Sequence, residues 1–224
     1  MKSRIVATLL AGAGLAALPA AAQAAPVTVA QWPLTDDTGK TIAKDVSGNH
    51  DGKALNVNFT SEGAGFNGSS SRITVPYSAA LSPGASDVTA HVEVKTSATP
   101  GTGNLDFDLM RAAPTGKMFK IELFPHGSIK AQAQCIFIGT STRITVHAGP
   151  TLNNDAWHSI ECHKTTDQVT LTVDDQPVGS ATVTIGSINL KKNAPFALGY
   201  KPVPTGTDGD FYNGLMRNAF VRIG

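Results

Sequence analysis

The 224-residue chain is short of charge, of aromatic rings and of cysteine, and each shortage removes a class of protein. Only 16% of residues are charged, 18 Lys and Arg stand against 17 Asp and Glu, and no basic run occurs. Nucleic acids and anionic membrane surfaces are held by clustered positive charge, so neither is an expected partner. Beyond residue 26 no stretch is apolar and long enough to span a bilayer, and no window carries a long apolar stripe at helical spacing. A Gly-x-Ser-x-Gly elbow is missing, which argues against a serine triad. The six histidines are scattered rather than grouped with cysteines as zinc ligands are. Yet 41% of residues are hydrophobic, too many for a disordered chain and enough for one domain with its own core.

The N-terminus is a separate matter. Lys2 and Arg4 precede an Ala, Leu and Gly stretch that ends in Ala22-Gln23-Ala24, the small-x-small pattern a signal peptidase accepts. Residues 1–24 are therefore expected to be a secretory signal peptide cut after Ala24, leaving a secreted chain without a membrane span. The two Gly, the Pro and the weakly apolar Ala residues disfavour a membrane anchor. Loss of Lys2 and Arg4 leaves 16 basic residues against the 17 acidic ones.

What remains alternates with a period of two. Val88, Ala90, Val92 and Val94 interleave with Thr89, His91, Glu93 and Lys95; Phe119, Ile121 and Leu123 interleave with Lys120 and Glu122; Val169, Leu171 and Val173 interleave with Thr170 and Thr172. Such strands place one face on a core and the other toward solvent. Turn signals such as Asn67-Gly68, Pro83-Gly84, His126-Gly127 and Asp174-Asp175 divide the chain into about a dozen strands, as in two packed antiparallel sheets. Cys135 and Cys162 lie in two of these runs. In an exported protein an even pair joins, and a bridge between neighbouring strands is expected there; the alternative is two buried free thiols.

Five segments in order resemble the laminin-G-like jelly roll of the concanavalin A-like lectin/glucanase superfamily. They are Trp32-Pro33-Leu34 with Gly39 and the loop Asp45-Val46-Ser47-Gly48-Asn49-His50-Asp51-Gly52, then Phe66 to Pro76, then Trp157-His158, then Leu171 to Val178, and last Phe211 to Arg222. The resemblance implies an all-β, two-sheet antiparallel sandwich over residues 27–224. It departs from the family pattern at Asp175, where the hairpin has Gly, and at Arg217 and Asn218, where the closing strand carries an acid. The resemblance also implies a calcium ion held by oxygen ligands of the opening loop, with Asp45, Asn49 and Asp51 as candidates and Asp208 or Asp210 as further donors.

Glycan hydrolysis needs two flanking carboxylates, and the glucanase pattern Glu-x-Asp-x-x-Glu is absent. The nearest approach is Asp106-Phe107-Asp108 followed by Arg111, read as a solvated strand face, and His91 with Glu93 reads as a polar outer face. The expected function is a secreted, non-catalytic binding module for carbohydrate or another extracellular polymer. The alternatives are a divergent polysaccharide hydrolase or lyase using Asp106, Asp108, His91 or Glu93 on the concave sheet, and a protein–protein adhesion module. Trp32 and Trp157 are expected to be buried, and Tyr77, Phe124, Tyr200 and Tyr212, near turns, to be the exposed rings.

Overall fold

The computed structural model describes residues 25–35, 40–101, 105–203 and 209–224. Residues 1–24, expected to be a signal peptide, lie outside them, as do Gly39 and Asp208.

Among the described residues there are sixteen strands: β1 (Val27–Trp32), β2 (Ile42–Ala43), β3 (Gly52–Leu55), β4 (Asn58–Phe59), β5 (Ala64–Asn67), β6 (Arg72–Val75), β7 (Val88–Lys95), β8 (Phe107–Ala112), β9 (Met118–His126), β10 (Ile129–Ile138), β11 (Arg143–Ala148), β12 (Trp157–Lys164), β13 (Gln168–Val173), β14 (Gln176–Thr182), β15 (Phe196–Leu198) and β16 (Asn213–Ile223). One 3-10 turn covers Ala79–Leu81. The dozen strands expected from alternation are outnumbered because β2, β4 and β15 are two or three residues long, too short to show a period.

The strands form two eight-stranded antiparallel sheets. The first runs β14-β13-β12-β7-β16-β5-β4, with β1 also on β16; the second runs β11-β10-β9-β8-β15-β6-β3-β2. Strict alternation is realised on β7, where Val88, Ala90, Val92 and Val94 are buried and their neighbours are half-buried. Phe119, Ile121 and Leu123 of β9 enter the same core from the opposite sheet. Trp32 is fully buried, stacks on Phe196 with centroids 5.5 Å apart and donates its indole N–H to the His50 carbonyl at 2.7 Å.

Cys135 and Cys162 form a disulfide, both side chains inside the core. The strands it joins are not the sheet neighbours that the sequence led one to expect. The bridge runs from β10 of the second sheet to β12 of the first, because both residues fall on inward positions of strands that face each other.

The hairpin of β13 and β14 turns on two residues, since Val173 pairs with Gln176. Asp174 and Asp175 have φ of 51° and 60°, both left-handed, so the turn is of the I′ type with aspartate in the place where glycine is commonest.

Candidate functional site

The segment between β2 and β3 is organised by one carboxylate. Asp45 Oδ1 accepts from the Gln31 N–H, the Ser47 N–H and the Ser47 hydroxyl at 2.8–2.9 Å, and Oδ2 accepts from the His50 N–H at 3.0 Å. The bond to Ser47 two residues on is the turn an aspartate makes with its own backbone, and the bond to Gln31 ties the loop to β1. Burial pushes the Asp45 carboxyl up, but these donors together outweigh it and hold it below its ordinary value. The His50 ring lies with Nδ1 3.1 Å from Asp45 Oδ2 and Nε2 3.0 Å from the Ser78 hydroxyl. Space is tight at Gly48, where a Cβ would come to 3.1 Å from Asp45 Oδ2, His50 Nδ1 and the Val29 carbonyl, so a larger residue would push on this pair.

Above this pair opens a cleft of about 420 Å³, walled on one side by Lys44, Gly48, Asn49 and Asp51 and on the other by Pro76, Tyr77 and Ser78. Tyr77 is half-buried with one side packed on the core. Asp51 Oδ1 accepts from the Asp45 N–H at 3.0 Å and Oδ2 from the Lys44 ammonium at 2.5 Å, which lowers the Asp51 carboxyl. Three candidate calcium ligands thus share one loop, but the oxygens of Asp45 already accept five hydrogen bonds. A cation there would have to displace those donors.

The outward face of the first sheet carries the second group. Glu93 accepts from Arg217 Nε at 2.7 Å and from the Asn218 amide at 2.6 Å. Burial opposes ionisation of Glu93, and these two donors prevail, so its carboxyl is lowered. Arg217 and Asn218, which replace the expected acid, therefore serve as partners for an acid on the neighbouring strand β7. The register slips between Arg217 and Phe220, and Asn218 adopts a left-handed φ of 50° in that bulge. The Arg217 guanidinium lies 4.0 Å over the half-buried Trp157 ring, and His91 stacks on Phe220 at 4.5 Å.

The third group is on the outward face of the second sheet. Cross-strand register aligns Asp108, Glu122, Gln134 and His147 in one row over β8 to β11, with Arg111 opposite Lys120 in the next row. Leu109 is the extra residue of a β-bulge, so Asp108 and Arg111 share a face although they are three apart. The Lys120 ammonium lies 3.0 Å from Asp108 and 3.6 Å from Asp106 and contacts Glu122; Arg111 donates to Asp108 at 3.0 Å. The oxygens of Asp106, Asp108 and Glu122 lie within 4.8 Å of one another, the spacing of a cation site, and the tethered ammonium sits among them. This face was expected to be solvated. Instead Asp108 is 0% and Glu122 1% exposed. Residues 199–201 and 209–211 lie against this part of the sheet, with the Gly199 N–H donating to the Leu109 carbonyl and the Asp108 N–H to the Asp210 carbonyl, both at 3.0 Å. Tyr200 and Phe211 stack at 6.2 Å and pack on Ala197, and the Tyr200 hydroxyl is 2.7 Å from that of Thr74. Burial raises the Asp106 carboxyl to about 6, with the charges of Asp108 and Asp210 adding to the effect and Lys120 opposing it.

Sequence-named residues are thus dispersed. His91 and Glu93 lie on the first sheet and Asp106 and Asp108 on the second, so the four do not converge. Tyr200 and Tyr212, expected to be exposed, are 4% and 0% exposed; Tyr77 and Phe124 are half-buried. Asp210, named as a cation donor to the opening loop, pairs instead with Lys201 at 2.7 Å. His50 and Ser78 were not singled out by sequence, since 28 residues separate them.

Two stacked antiparallel sheets with a loop-walled cleft at one edge define a lectin-like β-sandwich. The chain belongs to the laminin G branch of the concanavalin A-like lectin/glucanases superfamily, whose profile matches residues 67–221. A search of curated proteins found no match. Among solved structures, domain 4 of AbnA, a GH43 extracellular arabinanase from Geobacillus stearothermophilus in complex with arabinotriose, is 17% identical and covers 89% of this chain and 93% of its own, with a TM-score of 0.61. Mouse laminin alpha1 chain domains LG4-5 are 17% identical over 80% of this chain and 44% of theirs, with a TM-score of 0.53. The receptor binding domain of botulinum neurotoxin D is 10% identical over 87% of this chain and 48% of its own, at 0.60. The chain spans less than half of the laminin and toxin chains, and at these identities the likeness is one of fold.

Proposed function

We propose that the protein is an exported binding module that takes a carbohydrate or another extracellular polymer in the cleft between residues 44–51 and 76–78, without cleaving the polymer's glycosidic bonds. The observation that carries this reading is the lining of the cleft, which Tyr77 shares with Asn49, Asp51 and Lys44. An aromatic face with a few convergent polar groups is what a sugar ring and its hydroxyls require. Export is supported by the leader-like N-terminus and by a disulfide, a bond that persists in oxidising compartments. The arabinanase domain, which holds arabinotriose on the same fold, supports a saccharide as the polymer class.

Affinity electrophoresis of the purified protein against a panel of neutral and acidic polysaccharides, arabinan included, tests the reading. At least one polysaccharide retards it, and Tyr77→Ala weakens that retention about tenfold or more at a temperature where circular dichroism shows the variant still folded. Retention by none removes the carbohydrate and favours a protein partner; new reducing ends in the same incubations favour the hydrolase.

A further inference from the structure

At the base of this cleft, side chains from two segments are joined by two hydrogen bonds in a defined order. Asp45 Oδ2 is 3.1 Å from His50 Nδ1, and His50 Nε2 is 3.0 Å from Ser78 Oγ. The carboxylate can only accept, so Nδ1 carries a hydrogen, and in the neutral ring Nε2 then presents its lone pair. Against that lone pair the Ser78 hydroxyl is the donor, while its Oγ also accepts the Ala80 N–H at 3.2 Å. A buried carboxylate that orients an imidazole, which in turn faces a hydroxyl, is the arrangement that makes serine a nucleophile. The Asp45 side chain is 0% exposed and that of His50 12%.

A purely structural role explains less. Asp45 Oδ1 alone binds Gln31 and Ser47 and fixes the loop, and Ser78 caps the 3-10 turn through Ala80. Neither role requires an imidazole between them, aligned through both nitrogens and lining a cleft with Ser78.

We propose that the cleft is an ester-hydrolysing centre in which Ser78 is the nucleophile, His50 the general base and Asp45 the positioning residue, acting on an acyl ester carried by the bound carbohydrate. For its substrate class this rests on the carbohydrate reading of the cleft; for its chemistry it does not. Ser78 Oγ bonds to the acyl carbon while its proton passes to His50 Nε2. The ester C–O bond breaks, and the departing sugar oxygen takes that proton. Water then adds to the acyl carbon, giving a proton to Nε2; the Oγ–acyl bond breaks, the carboxylic acid leaves and Ser78 regains its proton. The Lys44 ammonium and the Asn49 amide, which line the same cleft, are donors for the negative oxygen of the tetrahedral stage. The missing Gly-x-Ser-x-Gly elbow is no obstacle, because such a relay is defined by geometry and not by sequence order.

A fluorophosphonate probe, which phosphonylates activated serines, tests the chemistry without any sugar. The folded protein gains one probe mass on the peptide containing Ser78, Ser78→Ala gains none, and His50→Gln slows labelling by about 100-fold or more, with p-nitrophenyl acetate turnover falling in parallel. Should Ser78→Ala not fold, labelling of the parent before and after urea unfolding decides instead, since an activated serine reacts only when folded. An unlabelled Ser78 in folded protein, or ester turnover indifferent to His50→Gln, overturns the proposal. Polysaccharide retention without labelling removes the chemistry and keeps the binding reading; labelling without retention does the reverse.

Discussion

Cys135 and Cys162 meet across the core with Cα atoms 5.7 Å apart, so one covalent bond ties β10 of one sheet to β12 of the other. The 27-residue separation gives about 3.5 kcal/mol from the lost chain entropy of the unfolded state. Replacing both by Ala is expected to lower the stability measured by urea unfolding by about 3 to 4 kcal/mol, with the small cavities adding to the loss. A loss well below about 1 kcal/mol would mean that the reduced, unfolded chain is already compact across this span.

Lys120 is the hub of the covered face, with Asp106, Asp108 and Glu122 around one ammonium. Removing one partner from a buried ionic group leaves the others uncompensated and costs about 3 to 5 kcal/mol. Lys120→Met is expected to fall in that range by chemical denaturation. Adding Glu122→Gln, which removes one of the stranded charges and keeps an acceptor for Gln134, recovers part of the loss. Simple additivity of the two substitutions would show that Glu122 and Lys120 do not form a functional pair.

Asp106 gives this face a pH dependence of opposite sign to that of a salt-bridged acid. Burial raises its carboxyl from 3.8 to about 6. Between those values the folded protein holds a proton that the unfolded chain has released, so stability falls as the pH rises from about 4 to about 6, by roughly 2 to 3 kcal/mol. Asp106→Asn, which cannot ionise, is expected to melt above the parent at pH 7.5 and level with it near pH 3.5. A constant difference at both pH values would contradict the assignment.

The same face shows where sequence reading stops. The alternation of Phe119, Ile121 and Leu123 against Lys120 and Glu122 correctly gives a strand and its inward side, because period two is a local property. Whether the other side meets water depends on a segment some 80 residues later, and Tyr200 and Phe211, which cover it, carry only a turn signal in sequence. The opening loop was legible as a loop through Ser47-Gly48-Asn49, but the meeting of His50 with Ser78 depends on how that loop folds beside the end of β6. The cysteines were legible as a pair, and the strands that they join became clear only with the sheet order.

Asp174 and Asp175 stand side by side in one turn, both left-handed, and glycine should act oppositely on them. Left-handed backbone costs an ordinary residue about 1 to 2 kcal/mol, less for aspartate, and glycine nothing, though glycine loses more entropy on folding. Asp175 is exposed, so Asp175→Gly trades a strained residue for the preferred Asp-Gly turn and is expected to stabilise by about 0.5 kcal/mol. Asp174 does more than turn the chain. Its carboxylate accepts the Ser159 N–H at 3.0 Å and faces His158 Nδ1 at 2.8 Å, fastening the turn to β12. Asp174→Gly relieves the same strain but loses these bonds, which for a half-exposed group are worth about 1 kcal/mol, so it is expected to destabilise or at best break even. Urea midpoints of the two variants measured together check the argument, since equal shifts would show that turn conformation alone, and not the side-chain tie to β12, governs this hairpin.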